Sequence, residues 1–274
     1  MRAAARWLRR SLPPIVAVLA VAGLVTGVVF GHHFVTSSAQ FELTSITLSG
    51  HRVLSEQRVR EVLGLPAGAL GPNLFELDLA AMEQKLEEDP WVVDAIIERR
   101  LPSTLAIEVD EHQPVMLVEM DGMYLADRTG EVFARAVLER GDGRGLPVVS
   151  GIARERYRRD PEAARAAIRR GLVAAELYTG SDDPEHGAAS AASRPRLGEV
   201  HLDPHRGVTF FTHDTAMAVR VGHGSPEILG ARLEAFDAAW QALSARERDL
   251  VRVVYADADS RPDRVTVGFA TAAD

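Results

Sequence analysis

The sequence predicts an α+β protein: a single transmembrane helix, then a small β-α-α-β-β domain, then a mostly antiparallel β domain with flanking helices. Three observations predict it. An apolar run near the N-terminus is long enough to cross a bilayer. Between Phe41 and Pro114, apolar residues follow helical and then period-two spacing in the order strand, helix, helix, strand, strand. Beyond Val115, short alternating segments separated by Gly, Asp and Pro dominate, with two longer helical stretches among them.

The apolar run is Ile15 to Val35. At about 1.5 Å per residue it spans roughly 31 Å as a helix. Arg2, Arg6, Arg9 and Arg10 precede it, and neither Lys nor Arg follows before Arg52. The positive-inside rule therefore makes residues 1–14 a cytoplasmic tail, residues 15–35 the span, and places the remainder on the far side of the membrane. A cleaved signal peptide with Ser37-Ser38-Ala39 as its processing site is the competing reading, but the run exceeds the roughly 7–15 residues of such a segment. His32 and His33 fall at the outer interface and read as interfacial polar residues.

Residues 36–111 form the first domain expected beyond the membrane. Phe41-Glu42-Leu43 and Ile46-Thr47-Leu48 are strand-like, and Ser49-Gly50-His51 breaks them. Ser55 is positioned as the N-cap of a short helix presenting Val59, Val62 and Leu63, with Gly64 as its stop. A Gly/Pro loop (Pro66, Gly68, Gly71, Pro72) leads to Asp78, the N-cap of a helix carrying Leu79, Met82 and Leu86 on one face. Asp89-Pro90 ends that helix, because a residue before proline is pushed out of the α region. Strand formers run from Trp91 to Arg99, Leu101-Pro102-Ser103 turns, and Leu105, Ile107 and Val109 alternate as a half-buried strand. The helices must cover one face of the resulting three-stranded sheet, since neither layer buries its apolar side alone.

Residues 112–274 form the second domain. Val115–Glu119 and Met123–Ala126 flank Asp121-Gly122, a dipeptide suited to a type I′ hairpin turn. Asp127-Arg128-Thr129-Gly130 turns into Glu131-Val132-Phe133. Pro161 opens a helix to about Tyr178 with Ala164, Ile168, Leu172 and Ala175 inward. Its arginines read as a solvated face. Residues 181–196 are polar and Gly/Pro-punctuated, the pattern of a mobile surface loop. Val200 and Leu202, Val208 and Phe210, and Met217, Val219 and Val221 alternate as three strands of a meander. Ser225-Pro226 starts a core-facing helix with Leu229, Leu233, Phe236, Trp240 and Leu243. Leu250–Tyr255 and Arg264–Phe269 are the last two strands.

Charge and motif content narrow the function. The first 40 residues hold four arginines and no acid, leaving 27 bases against 39 acids, a net of −12, in residues 41–274. Such an acidic body argues against nucleic acid, whose phosphates require a basic footprint. With no cysteine, disulfide and thiolate chemistry are absent. His201, Asp203, His205, His213 and His223 are the best metal candidates, yet Pro204 sets the first pair across a turn and their spacing matches no zinc motif. No nucleophile elbow, phosphate-cradling loop or dinucleotide fingerprint occurs. The expectation is a binding protein with no catalytic residue, no cofactor, no metal and no small-molecule substrate. Glu87-Glu88-Asp89 reads as a solvated acidic run, or as a contact for a basic partner segment.

Gly50, Asn73-Leu74-Phe75, Pro90-Trp91-Val92, Arg99, Pro102, Leu105, Glu111 and Pro114, in this order behind a single outward-facing anchor, resemble the FtsQ/DivIB family of bacterial cell-division proteins. The strand-helix-helix-strand-strand order is that family's POTRA arrangement, and Leu125 to Phe133 (LADRTGEVF) resembles the start of its β domain. The resemblance implies a non-enzymatic divisome scaffold in the inner membrane, docking membrane-anchored partners of the FtsB and FtsL kind. It places that contact on the C-terminal strands, where an extended segment can add to a sheet edge. Val253, Tyr255, Val265 and Val267 are the partner-binding candidates. Tyr255 matches the family's Tyr closing the penultimate strand; Arg252-Val253-Val254-Tyr255 departs from its Asp-Leu-Arg-Tyr. The alternative is a periplasmic POTRA-type factor in outer-membrane protein transport or assembly.

Overall fold

The computed structural model describes residues 2–66, 71–180, 194–258 and 264–270, with side chains from Leu19 onward. Most of the loop expected at 181–196, and the arginine side chains of the basic tail, lie outside the described residues. The chain divides into two compact units, Met1–Glu111 and His112–Asp274.

The first unit opens with α1 (Arg2–Ser37). Within it, Leu19–Ser37 is long and apolar enough to cross a membrane and is not covered by protein. Val21, Phe30 and Phe34 each expose 60% or more of their surface, which water would penalise and lipid would not. The small domain follows as β1 (Ser45–Ser49), α2 (Glu56–Leu63), α3 (Leu79–Glu87), β2 (Val92–Arg100) and β3 (Thr104–Glu111). Its sheet runs β1-β3-β2, with β1 parallel and β2 antiparallel to β3. The expected caps form: the Ser55 hydroxyl accepts from the Arg58 amide and the Asp78 carboxylate from the Ala81 amide, while Gly64 closes α2 in the left-handed region.

Four of the residues that mark this domain in the sequence help to hold it together. The buried Glu111 carboxylate accepts the amides of Arg52 (3.0 Å), Val53 (2.8 Å) and Leu54 (2.8 Å), tying the end of β3 to the chain entering α2. Arg99 donates to the carbonyls of Leu74 (2.7 Å) and Leu77 (2.5 Å), pinning the loop before α3 to β2. Asn73 donates to Val35 O (3.0 Å). At Gly50, φ is +77° and a Cβ would lie 2.1 Å from the Val109 carbonyl oxygen, so only glycine fits.

Two expectations for this unit change. Phe41–Leu43 is not a strand: Ala39–Phe41 is a short 3₁₀ turn and Glu42 makes one bridge to Asn73. The backbone of this segment bonds the loop facing it instead, Leu43 N to Pro72 O and Leu74 N to Phe41 O. Asp89 is not part of a solvated run either. It is buried, accepts from Arg58 Nε (3.3 Å) and holds the amide of Trp91 (3.2 Å), shaping the turn into β2.

The second unit contains β4 (Met116–Glu119), β5 (Met123–Ala126), β6 (Val132–Arg135), β7 (Val148–Ser150), α4 (Arg154–Arg159), α5 (Pro161–Thr179), β8 (Leu197–Asp203), β9 (Gly207–Thr212), β10 (Ala218–Gly222), α6 (Pro226–Ala242), α7 (Ala245–Leu250), β11 (Val251–Tyr255) and β12 (Thr266–Phe269). Its sheet runs β12-β11-β10-β9-β8-β7-β4-β5-β6. The β7–β8 and β10–β11 pairs are parallel, so each needs a crossover, supplied by α5 and α6. Both crossovers advance the same way along strands of the same sense, so one handedness puts both helices on one face. The core lies beneath them as a cross-strand row: Val118, Val149, Val200, Phe210, Val219, Val254 and Val267.

Arg194 and Asp237 lock the helix layer. Their side chains are only 7% and 4% exposed and meet through two parallel 2.7 Å bonds. Arg194 also donates to the carbonyls of Leu177 and Tyr178 at the end of α5. Burial pushes the Tyr178 hydroxyl pKa up, so it stays protonated and donates to Pro195 O (2.9 Å). The Asp121-Gly122 turn differs from expectation. Glu119 pairs with Met123, leaving a three-residue loop closed by Met120 N to Gly122 O (3.0 Å), and Gly122 stays out of the left-handed region that type I′ demands.

Candidate partner-binding edge

The C-terminal strands reach the sheet margin by a definite route. Leaving β10, the chain crosses through α6 and α7 and returns as β11 parallel to β10, with Ala218, Val219 and Arg220 opposite Val253, Val254 and Tyr255. β12 then folds back antiparallel on β11. Among the described residues no strand pairs with the far side of β12, which makes β12 an open edge and β11 an interior strand.

The register divides the four candidate residues between two faces. Val267 opposes Val254 at the end of the core row, and its half-buried side chain packs on the core cluster. Val265 packs there too, but it lies one residue before β12 rather than within it. Tyr255 belongs to the opposite row, Ser150, His201, Thr209, Arg220, Tyr255 and Thr266, on the face that α5 and α6 do not cover. Its ring is 37% exposed and carries the Arg220 guanidinium 5.1 Å from its centroid. Val253 shares that face by alternation. The structure thus brings Val253 and Tyr255 together and separates Val265 and Val267 from them.

Backbone direction gives the second pair its meaning. The Ala270 amide donates to Leu250 O (2.7 Å), so alternation turns the amides of Thr266 and Gly268 toward β11. The amides and carbonyls of Val267 and Phe269 then face away from the sheet, the groups an added strand would use. Two contributors escaped sequence reasoning. Gly268 sits opposite Val253, and a Cβ on it would fall 2.7 Å from Val253 Cγ1, so the glycine leaves room for that side chain. A lone glycine in an alternating strand is the signal that could have found it. Arg220 gave no signal, since only the parallel pairing puts it beside Tyr255.

Among the described residues the candidate histidines are not gathered into one cluster. His201 Nδ1 lies 2.7 Å from Ser150 Oγ, which also bonds Glu199. His213 Nδ1 lies 2.9 Å from Asp214, and Asp203 accepts the amides of His205 and Arg206. Among the described residues no set of three or more His, Asp or Glu side chains has metal-binding geometry. In the Ser150 group the hydroxyl stands between acid and imidazole, not at the end of a relay, so it lacks the order of a nucleophile–base–acid set.

Comparison with known proteins gives a consistent result. The model of the FtsQ-type POTRA domain matches residues 41–112. A cell division protein FtsQ from Myxococcus fulvus is 31% identical over 264 residues, 96% of this chain and 86% of that protein. The cell division protein FtsQ of an Anaeromyxobacter species is 32% identical over 98% of this chain and 84% of its own length. That of Syntrophotalea carbinolica is 30% identical over 79% of this chain and 73% of its own.

Proposed function

This chain belongs to the FtsQ family of cell-division proteins, and on that premise we propose that it is a non-catalytic scaffold of the division machinery in the bacterial inner membrane. Residues 15–35 hold it in the bilayer, with the N-terminal tail cytoplasmic and both folded units periplasmic. Its partners are membrane-anchored division proteins of the FtsB and FtsL kind, docked by strand addition at β12. The observation that supports this reading is the open β12 edge, with the backbone groups of Val267 and Phe269 turned outward and Tyr255 and Val253 on the adjoining bare face. An extended segment pairing there gains main-chain hydrogen bonds from the edge and specificity from the side chains beside it. Confinement to one membrane raises the effective concentration of partners that share it, so a short edge suffices.

The test is localisation with depletion. A fluorescent protein fused to the cytoplasmic N-terminus should gather at midcell, and depletion should give filaments that elongate without dividing. Uniform envelope labelling with loss of outer-membrane proteins would overturn this reading in favour of a POTRA-type assembly factor.

A further inference from the structure

The second unit carries a groove of about 810 Å³ that the β12 edge does not use. It lies between α5, the start of α6 and the β8–β9 turn. Glycines open it: Gly207 and Gly222 have φ of +75° and +71°, and a Cβ on Gly207 would lie 2.2 Å from the Gly222 carbonyl carbon. Only bare backbone lets the β8–β9 turn and the loop leading to α6 meet this closely. The floor is apolar, made of Ile152, Ala167, Leu202, Val208 and Leu229, with the half-exposed Val173 at its lip. The rim is cationic: Arg156, Arg169 and Arg170, with His223 beside them. Arg169 is braced by its bond to Thr129 O (2.7 Å). One carboxylate lines the groove, Asp203, and its Oδ1 already accepts the amides of His205 (2.7 Å) and Arg206 (3.0 Å).

We propose that this groove docks a short acidic amphipathic segment of a partner protein, its apolar side chains on the floor and its carboxylates against the three arginines. Charge complementarity selects that occupant. Three guanidinium groups collect on a body whose residues 41–274 carry a net of −12. An anionic membrane surface or a nucleic acid would meet that whole acidic body, whereas a short segment meets only the local rim, within about one Debye length of 8 Å. Small-molecule sites fix their ligands with a few precisely placed polar groups in a largely enclosing cavity. Here the three lining arginines are exposed at the rim of an open trough. Leucine-sized anchors at i, i+3 or i+4 and i+7 suit such a floor, with glutamates reaching the rim. Nothing in this inference depends on the division role or on strand addition at β12.

Two labelled helix-forming peptides of about 12 residues test it against the full chain in detergent, read by fluorescence anisotropy. Both carry leucines at that spacing; one has glutamates between them and the other lysines. The glutamate peptide should bind, weaken with salt, and lose roughly tenfold in affinity on Arg156→Glu with Arg170→Glu. Arg156→Lys with Arg170→Lys should retain most of the binding, and the lysine peptide should not bind. Both arginines are exposed, so the fold should survive, and an unchanged circular dichroism melt checks this. No binding of the glutamate peptide, equal binding of both peptides, or indifference to the charge reversals would overturn the proposal. Phosphatidylglycerol vesicle capture that exceeds that of Arg156→Glu with Arg170→Glu, with no binding of the glutamate peptide, would overturn it in favour of a lipid headgroup; the double variant keeps the membrane anchor and so subtracts its contribution.

Discussion

Val267→Pro should separate the proposed docking at the β12 edge from the stability of the fold. Proline removes one backbone amide, and the Val267 amide is one of those turned away from β11. The ladder to β11 therefore keeps its bonds, and proline is tolerated on edge strands for this reason. The fold loses part of a half-buried valine, about 1 kcal/mol. A docked strand loses more: one donor disappears and its own carbonyl faces the proline ring, for about 1–3 kcal/mol. That converts to an affinity loss of about 5- to 150-fold. Thr266→Pro is the contrasting variant, because its amide faces β11 and its loss should open the hairpin itself. Affinity for the purified periplasmic region of an FtsB-like partner, measured beside the melting temperature of each variant, gives both readings. If Val267→Pro binds as the parent protein does, partners do not add a strand here.

Three further outcomes follow from the two units. Glu111→Ala strips the acceptor from the amides of Arg52, Val53 and Leu54 and should cost the first unit about 2–4 kcal/mol; accelerated hydrogen exchange at those amides is the check. Asp237→Ala leaves the buried Arg194 without its carboxylate and should cost about 3–5 kcal/mol, whereas replacing both by apolar residues should recover much of it in a denaturant titration. Burial opposes ionisation of Asp127, but bonds from the Thr129 hydroxyl, His112 and the amides of Glu131 and Thr129 outweigh it and hold its carboxyl below the usual range. Its stabilising effect is then full above the unfolded-state value near about 3.9 and lost as pH falls through the lower folded value. The stability deficit of Asp127→Asn should therefore be largest at neutral pH and vanish on strong acidification, as denaturation midpoints across that range would read.

Local chemistry made much of this protein legible from its residues. Ser55, Asp78 and Pro161 start helices because a capping oxygen or a preset φ acts within one turn, and Gly64 stops one for an equally local reason. The alternation of Val200, Phe210 and Val219 announced buried strand faces, since side-chain period is a property of the strand alone. Within the ordered set that marked the family, Gly50, Asn73, Arg99 and Glu111 each make a bond or close approach inside the small domain.

Tertiary structure decided what lies far apart in sequence. That Glu111 is a three-fold acceptor depends on amides 57 to 59 residues away. Asp89 leaves the acidic run because the turn into β2 and Arg58 enclose it. Periodicity also left Val253, Tyr255, Val265 and Val267 as one group. Only the parallel return of β11 beside β10 put Tyr255 on the bare face, Val267 at the end of the core, and β12 at the margin. Strand order is set by the crossover through α6, whose burial against the sheet is a property of the assembled layers. No window of sequence carries it.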